Sequence, residues 1–298
     1  MPKKPSILFD LSHSEMLDIR EKEFSEFLAL LRSLDLRIKI NENKNITGKI
    51  LENIDILIIG NPIDNYFSSI EIKSIIDFVR EGGNLLLISE YGSDYLQKTN
   101  LNDISGKYFG IYFQKNIVKT KKSSNENCSS ILRIHEFHDN SITNQIREIV
   151  LAGSCSFLIN KNSEPLFTTN SSWTEIYDDS IKKWLREEDE DTRLILGAYT
   201  EFGRGKIAAL GDIDLFTNDF NIGLNCMDNR TFIKNLLDWF LEPMKNEDVI
   251  AWILDQLGVF QAELKNMNNK INNIIETTSI LEKRISSLED NNQRKEKK

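Results

Sequence analysis

The sequence predicts an α/β protein: a flavodoxin-like, doubly wound, mainly parallel sheet with a β-rich middle elaboration, followed by a long C-terminal coiled-coil helix. Three observations carry this. Short continuous apolar runs (Ile7–Phe9, Ile56–Ile59, Leu85–Ile88) read as strands buried on both faces. Segments with apolar residues at helical spacing alternate with them, the order expected of a parallel sheet crossed by helices. Beyond Pro243 an unbroken heptad pattern replaces the alternation.

Taken in order, Ser6–Asp10 is the first strand, closed by an acid. Leu17, Phe24, Phe27, Leu28, Leu31 and Leu34 then predict a helix over Glu15–Leu34. Leu36–Ile40 alternates as a strand does. Ile56–Ile59 closes on Gly60-Asn61-Pro62. Ile70–Val79 is the next helix, stopped by Glu81-Gly82-Gly83, and Leu85–Ile88 the next strand. From Ser105 to about Arg193 the pattern is irregular. Strand-like pieces stand at Tyr108–Phe113, Ile131–Ile134 and Ser156–Ile159, and the acidic run Glu187–Asp191 reads as a solvated loop. Leu194–Thr200 and Lys206–Leu210 form a hairpin about Gly203-Arg204-Gly205, and Asp228–Leu241 is a helix. These readings give an α/β domain over residues 1–245 with an insert at about 105–193, a coiled-coil helix over 246–290 and a disordered tail over 291–298.

In the heptads, a positions fall on Ile250, Leu257, Leu264, Ile271, Thr278 and Ile285. The d positions fall on Ile253, Phe260, Met267, Ile274, Leu281 and Leu288. A chain of this register extends roughly 58 Å at about 1.5 Å per residue. One amphipathic helix of that length cannot bury its own seam. The expected occupants are a second copy or another coiled-coil protein; Val249–Leu254 can also fold back on the domain. Arg284 (g) and Glu289 (e) suit an interhelical pair in a parallel dimer.

The formal net charge of -9 argues against a nucleic-acid partner. Cys128, Cys155 and Cys226 are few and irregularly spaced, which fits a reducing compartment and no disulfide framework. No secretion signal or membrane-length apolar run is evident, so cytoplasmic placement without membrane insertion is expected. No nucleotide fingerprint is present, and no cofactor is expected.

Ligands of open parallel sheets sit at the carboxyl ends of strands. The residues collected there are Asp10, Ser12, His13 and Glu15, then Asn61 and Asp64, then Glu90 and Tyr91, then Asp212, Asp214, Asn218 and Asp219. The candidate pocket comprises Asp10, Ser12, His13, Glu15, Asn61, Glu90, Tyr91, Asp212 and Asp214. Such groups can hold magnesium or calcium, or a cationic or hydroxyl-rich ligand; they can equally cap turns and helix starts. A metal-dependent hydrolase using Asp10, His13, Asp212 and Asp214 is therefore the alternative to a binding module. A cysteine hydrolase through Cys155 with His135 or His138 is a third reading. The His135/His138 pair also has metal-ligand spacing, beside Asp139. Neither Ser89-Glu90-Tyr91-Gly92 nor any other segment offers a nucleophile elbow, and no catalytic set is assigned.

The opening Ile7–Glu15 resembles the start of class I glutamine-amidotransferase-like domains. Gly203–Lys206, Gly211–Asn218, Asp228-Asn229 and Leu236–Trp239 resemble their closing motif, and Glu81–Leu85 fits the same pattern. The domain is also similar to the GIFT domain, shared by gliding-motility transport auxiliaries and an intraflagellar-transport subunit. The resemblance spans roughly residues 6–242. It implies a flavodoxin-like sheet whose catalytic cysteine is missing, with Glu90 and Tyr91 at that position, and a ligand-sensing or scaffold role. The expected function is a non-catalytic binding and scaffold protein, assembled through its coiled coil.

Overall fold

Runs of β-branched and leucine residues too short for helices make the strands. The computed structural model describes residues 4–42, 44–121, 128–170, 172–187, 193–243 and 246–296. In chain order its strands are β1 (Ser6–Asp10), β2 (Arg37–Asn41), β3 (Ile56–Gly60), β4 (Asn84–Ile88), β5 (Ile111–Phe113), β6 (Asn116–Lys121), β7 (Cys128–Ser129) and β8 (Ile131–Ile134). They continue with β9 (Glu136–Phe137), β10 (Ile149–Ala152), β11 (Phe157–Ile159), β12 (Glu164–Thr169), β13 (Ser172–Asp178), β14 (Lys183–Arg186), β15 (Leu194–Phe202) and β16 (Gly205–Leu210). The helices are α1 (Ser25–Ser33), α2 (Gly48–Leu51), α3 (Ser69–Arg80), α4 (Ser93–Gln97), α5 (Leu101–Phe109), α6 (Asn229–Leu241) and α7 (Asn246–Glu296).

The main sheet runs β2-β1-β3-β4-β16-β15-β11-β5, with β12 and β9 joined beside β15. From β2 to β16 the pairs are parallel; from β16 onward they are antiparallel. The fold is thus mixed α/β. Alternate residues of each strand face opposite sides. Ile7, Phe9, Ile56, Ile58 and Leu86 join one core with Phe27 and Leu31 of α1 and Phe232 and Leu236 of α6. Leu8, Leu57, Ile59, Leu85 and Leu87 join a second with Ile75 and Val79 of α3 and Leu101 and Ile104 of α5. Burial on both faces is why these strands read as continuous apolar runs. Smaller sheets, β10-β8 and β14-β13-β6-β7, occupy the middle of the chain.

The expected hairpin β15–β16 pairs antiparallel, with Phe202 opposite Gly205. Its turn uses Gly203 at φ 63°, a conformation that favours glycine. At Gly205 the constraint is space: a Cβ would stand 2.1 Å from the Gly83 carbonyl oxygen and 2.3 Å from that of Val79. Both are backbone atoms of the α3–β4 junction and cannot rotate aside. Gly205→Ala is expected to cost about 2–3 kcal/mol. At roughly 2–4 °C per kcal/mol for a unit this size, calorimetry should show a lower melting temperature.

Three expectations need correction. The first helix does not span Glu15–Leu34; α1 starts at Ser25, after a 3-10 turn at Lys22–Phe24. Ser14 adopts φ 58°, and Met16 and Leu17 donate to the carbonyls of Asn61 and Gly60. Leu17 is therefore buried against the end of β3, and its helical spacing is coincidental. The middle region begins inside a helix, and Tyr108–Phe109 ends α5 before β5 starts. The backbone also stays helical to Glu296 where a disordered tail was expected, since Gln, Arg, Lys and Glu are good helix formers. Most of the acidic run, residues 188–191, lies outside the described residues.

The chain divides into two compact units, Met1–Pro243 and Met244–Lys298. In the second, Ile250, Ile253, Leu257, Phe260, Leu264, Met267, Ile271, Ile274 and Leu281 are all exposed. The side chains of Ile285 and Leu288 lie outside the described residues. Leu254 and Ile275, both at e positions, are exposed too, so the stripe is wider than a strict a/d seam. No described helix is long and apolar enough to cross a membrane.

Candidate functional site

The predicted residues sit at the carboxyl ends of their strands, but in two clusters rather than one pocket. Asp10 ends β1 and Asp212 follows β16, with β3 and β4 between them. Three strand steps of about 4.8 Å put the two strand ends roughly 14 Å apart. Each carboxylate is also tied locally, so one cation bridging Asp10 and Asp212 is not available.

The first cluster is built on Asp10. Its Oδ1 accepts from Ser12 Oγ at 2.9 Å and Asn41 Nδ2 at 2.6 Å. Its Oδ2 lies 2.7 Å from His13 Nδ1. The His13 ring stacks on Phe67 with centroids 3.9 Å apart, and its Nε2 stands 3.3 Å from Glu71 Oε1. Glu71 is held by its position in a capping box at the start of α3 with Ser68, and it also accepts from Ile46 N. Glu15 Oε2 accepts from His13 N at 2.9 Å. Glu15 Oε1 accepts no hydrogen bond from any described donor. Burial, together with the neighbouring Asp10, pushes the Glu15 carboxyl up to about 9. Burial also acts to raise Asp10, but bonds from His13, Glu15 and Asn41 outweigh it and hold that carboxyl below the usual range. Among the described residues, Asp10, His13 and Glu15 form a trio whose ligand atoms all lie within 4.8 Å of one another.

The second cluster joins the elbow after β4 to the turn after β16. Asp212 accepts from Ala152 N at 2.5 Å and Asp214 N at 2.8 Å. Glu90 Oε1 accepts from Ile213 N at 2.7 Å. Burial raises Asp212 well above the carboxylate range, with Asp214 adding to it; burial and Asp212 do the same to Glu90. Wherever Glu90 binds its proton more tightly folded than unfolded, stability falls as pH rises above about 4.5, the ordinary glutamate range. Glutamine keeps the acceptor for Ile213 N and does not titrate. Glu90→Gln should therefore gain stability over the wild type as pH climbs from 4 to 8, and match it at pH 4. Chemical denaturation across that range reads the effect.

These groups are interior. Asp10, His13, Glu15, Asn61, Glu90 and Asp212 are all buried, whereas Tyr91 is exposed and meets Trp184 edge-on. Asn61 contacts Met16 through its Nδ2, and Asp64 pairs with Lys98 at the surface. Asn218 joins the turn to α1 by donating to Lys22 O and Ser25 Oγ. Ser89 Oγ, at the elbow, has no described hydrogen-bond partner, so no base activates it.

The cysteine-hydrolase reading fails on position. Cys155 is fully buried, and burial with Glu90 nearby pushes its thiol well up, away from the thiolate. No described histidine bonds to it. His135 faces Arg147 O at 3.4 Å, and the His135/His138 pair joins no metal-compatible trio among the described residues. Sequence reasoning missed Asn41 and Glu71. Glu71 carries a signal that could have found it, the Ser68-x-x-Glu71 capping box.

Residues 6–123 match the family model of the IFT52 GIFT domain. The fold is similar to that of the mmIFT52 N-terminal domain, at 17% identity over 80% of this chain and 99% of that one, with a TM-score of 0.65. It is also similar to that of a cytoplasmic protein, STM3548, from Salmonella typhimurium, at 13% identity over 79% of this chain and 98% of that one, with a TM-score of 0.54. At these identities the structures show a shared fold alone. No curated protein matches the chain.

Proposed function

We propose that this chain is a non-catalytic scaffold, in which a GIFT-type α/β unit presents binding surfaces and the C-terminal helix self-assembles as a parallel coiled-coil dimer. The observation that carries this is the exposed apolar stripe of α7, nine large side chains at a and d positions. Exposing so much apolar surface on a solitary helix is costly in water, and burying each such side chain contributes about 1.5–3 kcal/mol. Read as a parallel homodimer, the facing g–e pairs from Gln256 onward are Gln256–Gln261, Glu263–Asn268, Lys270–Ile275, Thr277–Glu282 and Arg284–Glu289. None is a like-charge pair, and the last is attractive.

The GIFT match supports the scaffold role of the first unit, as does the filled carboxyl edge. There the buried Asp10, His13, Glu90 and Asp212 bond to neighbouring side chains and backbone. We read the five parallel strands as a flavodoxin-like, doubly wound sheet with a spent amidotransferase-like site, and the protein as cytoplasmic. The observation against the metal-dependent hydrolase is the separation of Asp10 from Asp212 in the strand order.

Strand orientation is open to direct test. Leu281 is a d residue, and in a parallel, in-register dimer it faces its own copy. A Leu281→Cys chain should oxidise to a disulfide-linked dimer that migrates at twice the mass without reductant. A chain that assembles yet stays uncross-linked would contradict the parallel arrangement.

A further inference from the structure

The packing around His13 has the form of a metal-ligand shell. A neutral imidazole that directs its Nε2–H toward Glu71, 3.3 Å away, presents the Nδ1 lone pair on its other side. That lone pair meets Asp10 Oδ2 at 2.7 Å and Glu15 Oε1 at 3.8 Å. With that tautomer, a lone pair and two carboxylate oxygens facing one another repel unless a proton or a metal cation lies among them. Metal-bound histidines characteristically pass their other N–H to a carboxylate, and Glu71 is placed to receive it. The capping box and Ile46 N fix Glu71, while Phe67 fixes the ring. Ser12 and Asn41 occupy Asp10 Oδ1 and leave Oδ2 for the shared space.

A second observation is independent of the cluster's composition. The Glu15 side chain is 0% exposed. One of its oxygens is held by His13 N, and the other, turned toward His13 Nδ1, accepts no hydrogen bond from any described donor. Without a proton or a cation on it, that buried oxygen costs about 1–3 kcal/mol. Its orientation toward two other donor atoms makes it the third corner of a ligand set.

We propose that Asp10 Oδ2, His13 Nδ1 and Glu15 Oε1 bind one divalent zinc ion as a structural site. One imidazole and two carboxylates suit zinc better than magnesium or calcium, which take all-oxygen shells. The burial of all three ligands excludes a substrate position, so the ion's work is mechanical. Residues 11–21 have no helix or strand, and the ion ties this loop to the end of β1 and, through Glu71, to α3. The site is separate from the assembly role of α7 and stands or falls without it.

The test uses the full chain, stripped with a chelator and titrated with zinc chloride. Calorimetric titration should give one equivalent bound, and the melting temperature should rise with zinc concentration as expected for a ligand of the folded state. Cobalt(II) should take the site and give the visible absorption of a low-coordinate ion. Glu15→Gln is the decisive variant, because its carboxamide keeps the acceptor for His13 N and can donate to Asp10, so the fold is retained. It should bind zinc at least tenfold more weakly and lose the melting shift, while His135→Ala should bind as the wild type does. Failure of the folded wild type to bind a stoichiometric ion would overturn the proposal; the cluster would then be held by protons. Undiminished binding by Glu15→Gln would overturn it equally, by placing the ion elsewhere.

Discussion

Full-length chain carrying Leu264→Glu and Ile271→Glu is expected to sediment as a monomer at concentrations where the parent chain is a dimer. Both positions are a residues, and both side chains are exposed on α7. In a dimer the double substitution removes four apolar side chains from the seam. At about 1.5–3 kcal/mol each, the loss is roughly 6 kcal/mol at the low end, or about four decades in dissociation constant. Four glutamates brought into one dry seam add repulsion to that loss. The control is Asn272→Glu, at a b position facing away from the seam, which should leave assembly within a few-fold of the parent. An equal effect from the control would mean that charge on the helix, and not the seam, governs association.

Asp212→Ala should be among the most destabilising substitutions in the α/β unit. The carboxylate is fully buried and binds two backbone donors, Ala152 N at the end of β10 and Asp214 N in the turn after β16. It thereby fastens the small β10-β8 sheet to the main sheet. Alanine leaves two buried N–H groups unpaired, at about 1–3 kcal/mol apiece, while relieving the cost of holding a buried acid among acids. A net loss of about 3 kcal/mol is expected, read as a melting temperature lower by roughly 6–12 °C. Asp212→Asn retains one acceptor oxygen and should fall between alanine and the parent. If alanine proves neutral, the carboxylate is not a structural tie, and a role in binding regains force.

How much of this was legible in the sequence depended on the range of the interactions involved. The central strands announced themselves because burial on both faces leaves only apolar residues, as in Ile56–Ile59 and Leu85–Ile88. The β15–β16 hairpin was legible because Gly203 and Gly205 are demanded by the turn and by the close approach of the α3–β4 backbone. α4 and α5 were not. They are short, carry Gly106 and several polar residues, and are positioned by contacts such as Asp94 accepting from Leu101 N and Asn102 N. The candidate site was legible as residue types and not as geometry. Asp10 and Asp212 both follow strands, but nothing local to either reveals that β3 and β4 come between them. The pairing of His13 with Glu71 likewise joins residues far apart in sequence through the stacking surface of Phe67, which no spacing rule encodes.

The claim on which the scaffold reading depends is that α7 recruits a second copy. Sedimentation equilibrium of the unmodified full chain, from nanomolar to tens of micromolar, measures this without labels or substitutions. A mass rising from 34.5 kDa to twice that value within this range is the predicted result. A mass that stays at 34.5 kDa throughout would contradict it.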